Sequence, residues 1–131
     1  MPTDDSVTRS VVLPVPPEEA WDALTRPTEL AEWLADEVDC DDELEEGTEA
    51  VLRWDDGQSR RAVVSEADSP RRLTWVWHGE GASDETRVEF VLVELPGRET
   101  LLTVVESGFG ALPVGWGPRL SAHVGALARA F

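Results

Sequence analysis

At 131 residues the chain fits one domain, residues 1–131, and is long enough to bury about two-thirds of its unfolded surface. It carries 27 acidic and 11 basic residues, a net charge of −16 that repels phosphate backbones and anionic lipid and so excludes nucleic acid and membrane surfaces as partners. The single Cys40 excludes an internal disulfide, no apolar run approaches the ~20 residues of a membrane span, and MPTDDSVTRS lacks a signal-peptide core, so the chain reads as cytoplasmic.

Val7 to Leu13 is predicted as a first strand, rich in β-branched residues and stopped by Pro14. Pro16 and Pro17 open a short helix, where a missing N–H costs nothing in the first turn. Glu18 and Glu19 suit its positive end, and Ala20, Trp21 and Leu24 give it one apolar side. A second short helix is expected from Pro27, with Thr25 as its cap and Leu30, Trp33 and Leu34 inward.

Asp36 to Glu49 holds nine acidic residues and no basic one, the signature of a solvated loop or an edge strand. A calcium loop needs glycine at its sixth place, which the Asp39, Asp41, Glu43 spacing lacks, so no metal is expected there. Cys40 sits inside this run, a poor setting for a thiolate nucleophile. All the basic residues are Arg. Coding bias with a solubilising surface explains this balance, and so does adaptation to a salty cytosol that screens self-repulsion. Thermal stability across a salt series separates the two, because only the second requires large stabilisation at molar salt.

The middle of the chain alternates with a period of two. Ala50, Leu52 and Trp54 share one face of Thr48 to Trp54, and Asp55-Asp56-Gly57 is a hairpin signal. Gln58 to Glu66 is the return strand. Leu73, Trp75 and Trp77 then alternate with Thr74, Val76 and His78. Val88, Phe90 and Leu92 share a face of Arg87 to Leu95, and after Pro96-Gly97 so do Leu102, Val104 and Glu106. Even spacing and hairpin turns indicate an antiparallel sheet.

The last segment has no acidic residue after Glu106. Gly117-Pro118 starts a helix with Leu120, Val124, Leu127 and Phe131 at helical spacing, and its poverty in charge predicts cover on more than one side. The order strand, two short helices, strands, helix gives an α+β domain. Its sheet curls around the terminal helix and leaves a space between them.

The six tryptophans dominate the aromatic content. Trp21 reads as core. Trp54, Trp75 and Trp77 fall on the concave face, with Trp33 and Trp116 near its ends, and an indole N–H is more easily matched beside a wet cavity than in a solid core. Phe90, Leu102, Leu120 and Leu127 share that interior by their parity. Glu106 also points inward, where a carboxylate needs a partner: Arg87, Arg53 or a Trp N–H. A ligand anchor is the alternative role for it. His123, on the terminal helix, either reaches toward the same space or packs as a neutral histidine; His78 lies outward. No nucleophile elbow, phosphate loop, dinucleotide glycine pattern or metal-ligand spacing is present, so no catalytic set, cofactor or metal is assigned.

Val11-Val12-Leu13-Pro14-Val15-Pro16-Pro17-Glu18-Glu19-Ala20-Trp21-Asp22-Ala23-Leu24-Thr25, followed by Leu30-Ala31-Glu32-Trp33-Leu34, resembles the START-like (SRPBCC) superfamily. Within it, the sequence is similar to bacterial homologues of the activator of heat-shock-protein ATPase (AHSA-like). Pro70-Arg71-Arg72-Leu73, Arg87-Val88-Glu89-Phe90, Ser107-Gly108-Phe109 and Gly115-Trp116 match further family positions. The acidic stretch from Asp36 to Glu46 departs from the expected mixed segment. The resemblance implies a helix-grip fold, a curved antiparallel sheet wrapped around a long C-terminal helix. Its functions span carriers, co-chaperones and cyclases, so fold alone assigns none. The leading expectation is non-catalytic binding of a small hydrophobic or aromatic molecule. The alternatives are a co-chaperone-like module for a chaperone or other protein, in a stress response, and a polyketide cyclase-like enzyme with Glu106 or His123 as acid/base.

Overall fold

The computed structural model describes residues 6–79, 85–108 and 117–131. Trp116, Phe109 and Gly115, singled out in the sequence, lie outside them. Seven strands form one sheet: β1 (Ser6–Leu13), β2 (Glu37–Asp39), β3 (Glu49–Arg53), β4 (Ser59–Asp68), β5 (Arg72–His78), β6 (Thr86–Leu95) and β7 (Glu99–Gly108). Helices α1 (Pro17–Thr25) and α2 (Pro27–Trp33) follow β1, and α3 (Gly117–Ala130) ends the chain. The strand order is β1-β7-β6-β5-β4-β3-β2, antiparallel throughout. This is the expected α+β helix-grip architecture: a curved open sheet with the helices on its inner side.

Each turn follows from local chemistry. Pro17 stands at the first helical position of α1, and the carbonyl of Pro16 accepts from the N–H groups of Glu19 and Ala20 at 3.1 Å each. Between β3 and β4, Gly57 takes a φ of 88°, open to glycine, and the Trp54 N–H closes on the Gln58 carbonyl at 2.9 Å. Part of the acidic run becomes the edge strand β2. There Arg53 of β3 lies 4.0 Å from Glu37 and 3.7 Å from Asp39 and offsets some of their repulsion.

Four sequence expectations need correction. Thr25 does not cap α2: it ends α1 fully buried, and its hydroxyl donates to the Trp21 carbonyl at 2.8 Å. Arg26 takes the capping position without a side-chain bond. Thr74, on the outward parity of β5, is buried because Glu66 and Glu89 flank it in the ladder. Arg72, two residues along the same face, pairs with both at 3.9 and 3.3 Å. Phe131 lies beyond α3 and is 42% exposed. Finally, α3 is one-sided among the described residues: Leu120, Val124 and Leu127 are buried, while Ala122, Arg129 and Ala130 are exposed.

The inner face of the sheet is built as the alternation predicted. Ala50 and Leu52, Ala62 and Val64, Leu73, Trp75 and Trp77, Val88, Phe90 and Leu92, and Leu102 and Val104 are all buried. α3 lies chiefly against β1, and α1 touches β6 and β7. At the α3–β1 contact Gly125 is buried under the guanidinium of Arg9. A Cβ there would meet Arg9 Nη2 at 3.0 Å and Arg129 Nη1 at 3.6 Å. Arg9 is exposed and meets this spot with the end of a flexible side chain, which can move. Gly125→Ala should therefore stabilise the protein by up to about 1 kcal/mol through helix propensity. Denaturant unfolding measures it, and Gly125→Leu, which must displace both arginines, should instead destabilise.

Candidate functional site

The register of three strands assembles the site. Val88 of β6 stands opposite Trp75 on one side and Glu106 on the other, and Thr86 stands opposite Trp77. Period-two alternation turns Trp75, Trp77, Thr86, Val88 and Glu106 to the same inner face. Ala62, opposite Trp77, and Ala50 beyond it are small, which leaves room for the large ring between them.

The rings form a continuous row. Trp54 meets Trp77 edge-on at 6.5 Å between centroids, Trp77 lies 5.6 Å from Trp75, and Trp75 meets Phe90 edge-on at 4.8 Å. Arg60 of β4, 4% exposed, holds its guanidinium carbon 4.9 Å above the Trp77 ring. A desolvated cation on an indole face is worth up to about 2 kcal/mol.

Glu106 is 4% exposed, and its two oxygens are treated differently. Oε2 accepts from the Thr86 hydroxyl at 2.5 Å and from Trp77 Nε1 at 3.1 Å. Oε1 is buried with no donor among the described residues. Of the partners considered from sequence, the Trp N–H is the one found; Arg87 is exposed, and Arg53 is engaged at the β2 edge. Thr86 and Arg60 were not singled out. Thr86 sits one residue before the strand start read from the sequence. Arg60 shares the inward parity of Ala62 and Val64, a signal that could have found it.

The tryptophans divide by what their N–H groups do. Trp33 Nε1 donates to the Ala23 carbonyl at 2.7 Å, and Trp54 Nε1 to the Leu34 carbonyl at 2.7 Å. Both indoles tie the short helices together and to the sheet. Trp75 Nε1 is buried in a residue 1% exposed and has no acceptor among the described residues. An unmatched buried donor costs about 1–3 kcal/mol. Burying an indole of roughly 150–250 Å² returns about 4–6 kcal/mol at 25 cal/mol per Å², so the fold tolerates the orphan.

The other sequence candidates fall around this centre. Phe90 and Leu102 are fully buried, as Leu120 and Leu127 of α3 nearly are. His123 is half-buried, with Nδ1 3.1 Å from the Trp33 carbonyl, so it faces α2. Trp116 lies outside the described residues. Trp21 is core, 8% exposed. Its ring also borders an open depression of about 500 Å3 between α1 and the acidic loop, where Arg26 bridges Asp22 at 3.4 Å and Glu43 at 3.6 Å. Among the described residues no group of His, Cys, Asp and Glu is placed to hold a metal, and no helix is long and apolar enough to cross a membrane.

Several solved structures share this architecture. DynU16, described as a protein of the dynemicin biosynthetic locus, is 28% identical over 97% of this chain, with a TM-score of 0.80. The chain spans 47% of that protein, about half its length. CalU16 from Micromonospora echinospora is 26% identical over 94% of this chain and 75% of its own, with a TM-score of 0.72. The Aha1 dimer from Colwellia psychrerythraea shares the fold at 15% identity and a TM-score of 0.80, covering 95% of this chain and 94% of its own. No curated protein matches the sequence. Residues 14–118, which run from the end of β1 to the start of α3, match the family described as Activator of Hsp90 ATPase homolog 1-like protein, and the chain belongs to that family.

Proposed function

We propose that the chain binds a small hydrophobic or aromatic molecule on the inner face of the sheet, without transforming it. One observation carries this reading. Among the described residues, the buried polar atoms of an apolar, tryptophan-rich interior that lack a hydrogen-bond partner include a donor, Trp75 Nε1, and an acceptor, Glu106 Oε1. Buried polar atoms are nearly always paired, with protein, ordered water or ligand. Ligand sites combine apolar lining with a few placed polar groups. The origin of the similar DynU16 in the dynemicin biosynthetic locus is in keeping with this.

A second reading rests on the family itself. A homologue of an activator of an ATPase would act by docking on that ATPase, and the net charge of −16 would steer it toward a basic surface. In that case the chain accelerates ATP hydrolysis by a purified Hsp90-type ATPase, and the effect falls as salt rises from about 50 to about 300 mM, over which the Debye length shrinks from about 14 to about 6 Å. A flat hydrolysis rate across a concentration series of the chain would rule this reading out.

The small-molecule reading predicts that 2-naphthol quenches tryptophan fluorescence saturably. At a hundredfold excess over Kd it should stabilise the fold by about 2.7 kcal/mol, a rise of several degrees in the unfolding midpoint. The quench should shrink in Trp77→Phe and persist in Trp33→Phe, because Trp33 is occupied with the helices. A linear, non-saturating quench with no thermal shift, repeated across other neutral bicyclic aromatics, would count against the reading.

A further inference from the structure

The acidic run takes no part in the inner face, and the fold gives it a shape of its own. Leu44, the one apolar residue between Asp41 and Glu46, is 3% exposed, and its N–H donates to the Thr25 carbonyl at 2.8 Å. The Gly47 N–H then donates to the Val64 carbonyl of β4 at 2.8 Å, with Gly47 at a φ of 89°. The loop is thus clamped to α1 at one point and to the sheet at the next. It walls a depression of about 500 Å3 whose polar lining includes Trp21, Asp22, Arg26, Glu43, Glu45 and Glu46. Ligand sites fall in this range of volume.

The charge around the depression is unbalanced. Arg26 lies between Asp22 at 3.4 Å and Glu43 at 3.6 Å, while Glu45 and Glu46 have no cationic partner among the described residues. No cluster of His, Cys, Asp and Glu among those residues is drawn tightly enough for a metal ion, so the carboxylates suit an organic cation that reaches across the rim.

Trp21 adds a second demand. It is 8% exposed, borders the depression, and its Nε1 has no acceptor among the described residues. Unlike the N–H of Trp75, it is not sealed from solvent. An indole N–H donates only, so it calls for an acceptor beside the cation.

We propose that the depression binds an arginine residue from an exposed segment of a partner protein. Its guanidinium lies against Glu45 and Glu46, and a main-chain carbonyl next to it accepts from Trp21 Nε1. A simple amine meets only the first demand, and a neutral peptide only the second. Arginine is the basic residue that fits, because its planar fork of donors serves two separate carboxylates at once. The site shares no residue with the Trp75 and Glu106 centre and depends on neither reading above.

The test follows the Trp21 indole N–H by NMR in the full 15N-labelled chain. That signal is identified by its loss in Trp21→Phe or, should that variant not fold, through the backbone assignment. The probes are Ac-Gly-Arg-Gly-NH2, the same peptide with neutral, isosteric citrulline, and agmatine, which keeps the guanidinium without a carbonyl. The arginine peptide should shift the signal saturably, with a Kd in the millimolar range. Citrulline and agmatine should each bind at least about fivefold more weakly, the worth of one exposed ion pair or hydrogen bond. Glu45 and Glu46 are exposed, and replacing both (Glu45→Gln with Glu46→Gln) should reduce the preference for arginine over citrulline to within about twofold. A Trp21 signal unmoved at about 20 mM arginine peptide would overturn the proposal, and so would equal affinity for that peptide and either control. The comparison among probes needs no variant.

Discussion

A carboxylate placed in an apolar interior must be matched by donors or it destabilises the fold, and this constraint organises the inner end of the sheet. Glu106 of β7 is reached by the Trp77 N–H of β5 and the Thr86 hydroxyl of β6, both on one oxygen. That arrangement ties three strands together at the side-chain level, beyond their backbone ladders. It holds the Trp77 ring in one orientation, with Arg60 against its face and Trp54 and Trp75 at its sides. The second oxygen is thereby presented to the interior in a fixed direction.

The tryptophans show how one residue type serves two purposes. Trp33 and Trp54 give their N–H groups to the carbonyls of Ala23 and Leu34, and so seat α1, α2 and the β3 end on one another. Trp75 is only 1% exposed, yet its N–H finds no acceptor among the described residues. Packing explains the ring; it does not explain the nitrogen. A phenylalanine would supply apolar area at this position without the unmatched donor.

Much of this was legible in the sequence. Alternation over β5 to β7 turned Trp75, Trp77, Phe90, Leu102 and Glu106 inward, because a half-buried strand has no other way to place its apolar side chains. The indole partner of Glu106 was among the options for the same reason. What the sequence could not reveal came from contacts distant along the chain. Trp33 and Trp54 reach carbonyls 10 and 20 residues away, so their engagement depends on how the helices dock. Thr74 is buried by an arginine that bridges carboxylates on the two neighbouring strands. Thr25 lies where two helices meet and turns its hydroxyl back into the first, a choice between two backbone partners that propensity does not settle.

Family membership fixes the architecture, and the residues on its inner face give this chain its individual chemistry. Trp75 holds a buried donor with no partner among the described residues, where Trp54 holds a matched one. Benzothienylalanine keeps the bicyclic shape and exchanges the N–H for sulfur, so introducing it singly at each position isolates the hydrogen bond from the packing. In denaturant unfolding of the ligand-free protein, the exchange at Trp54 should cost about 1–3 kcal/mol, because it strands the Leu34 carbonyl. At Trp75 it should cost nothing measurable. Equal losses at the two positions would contradict the account.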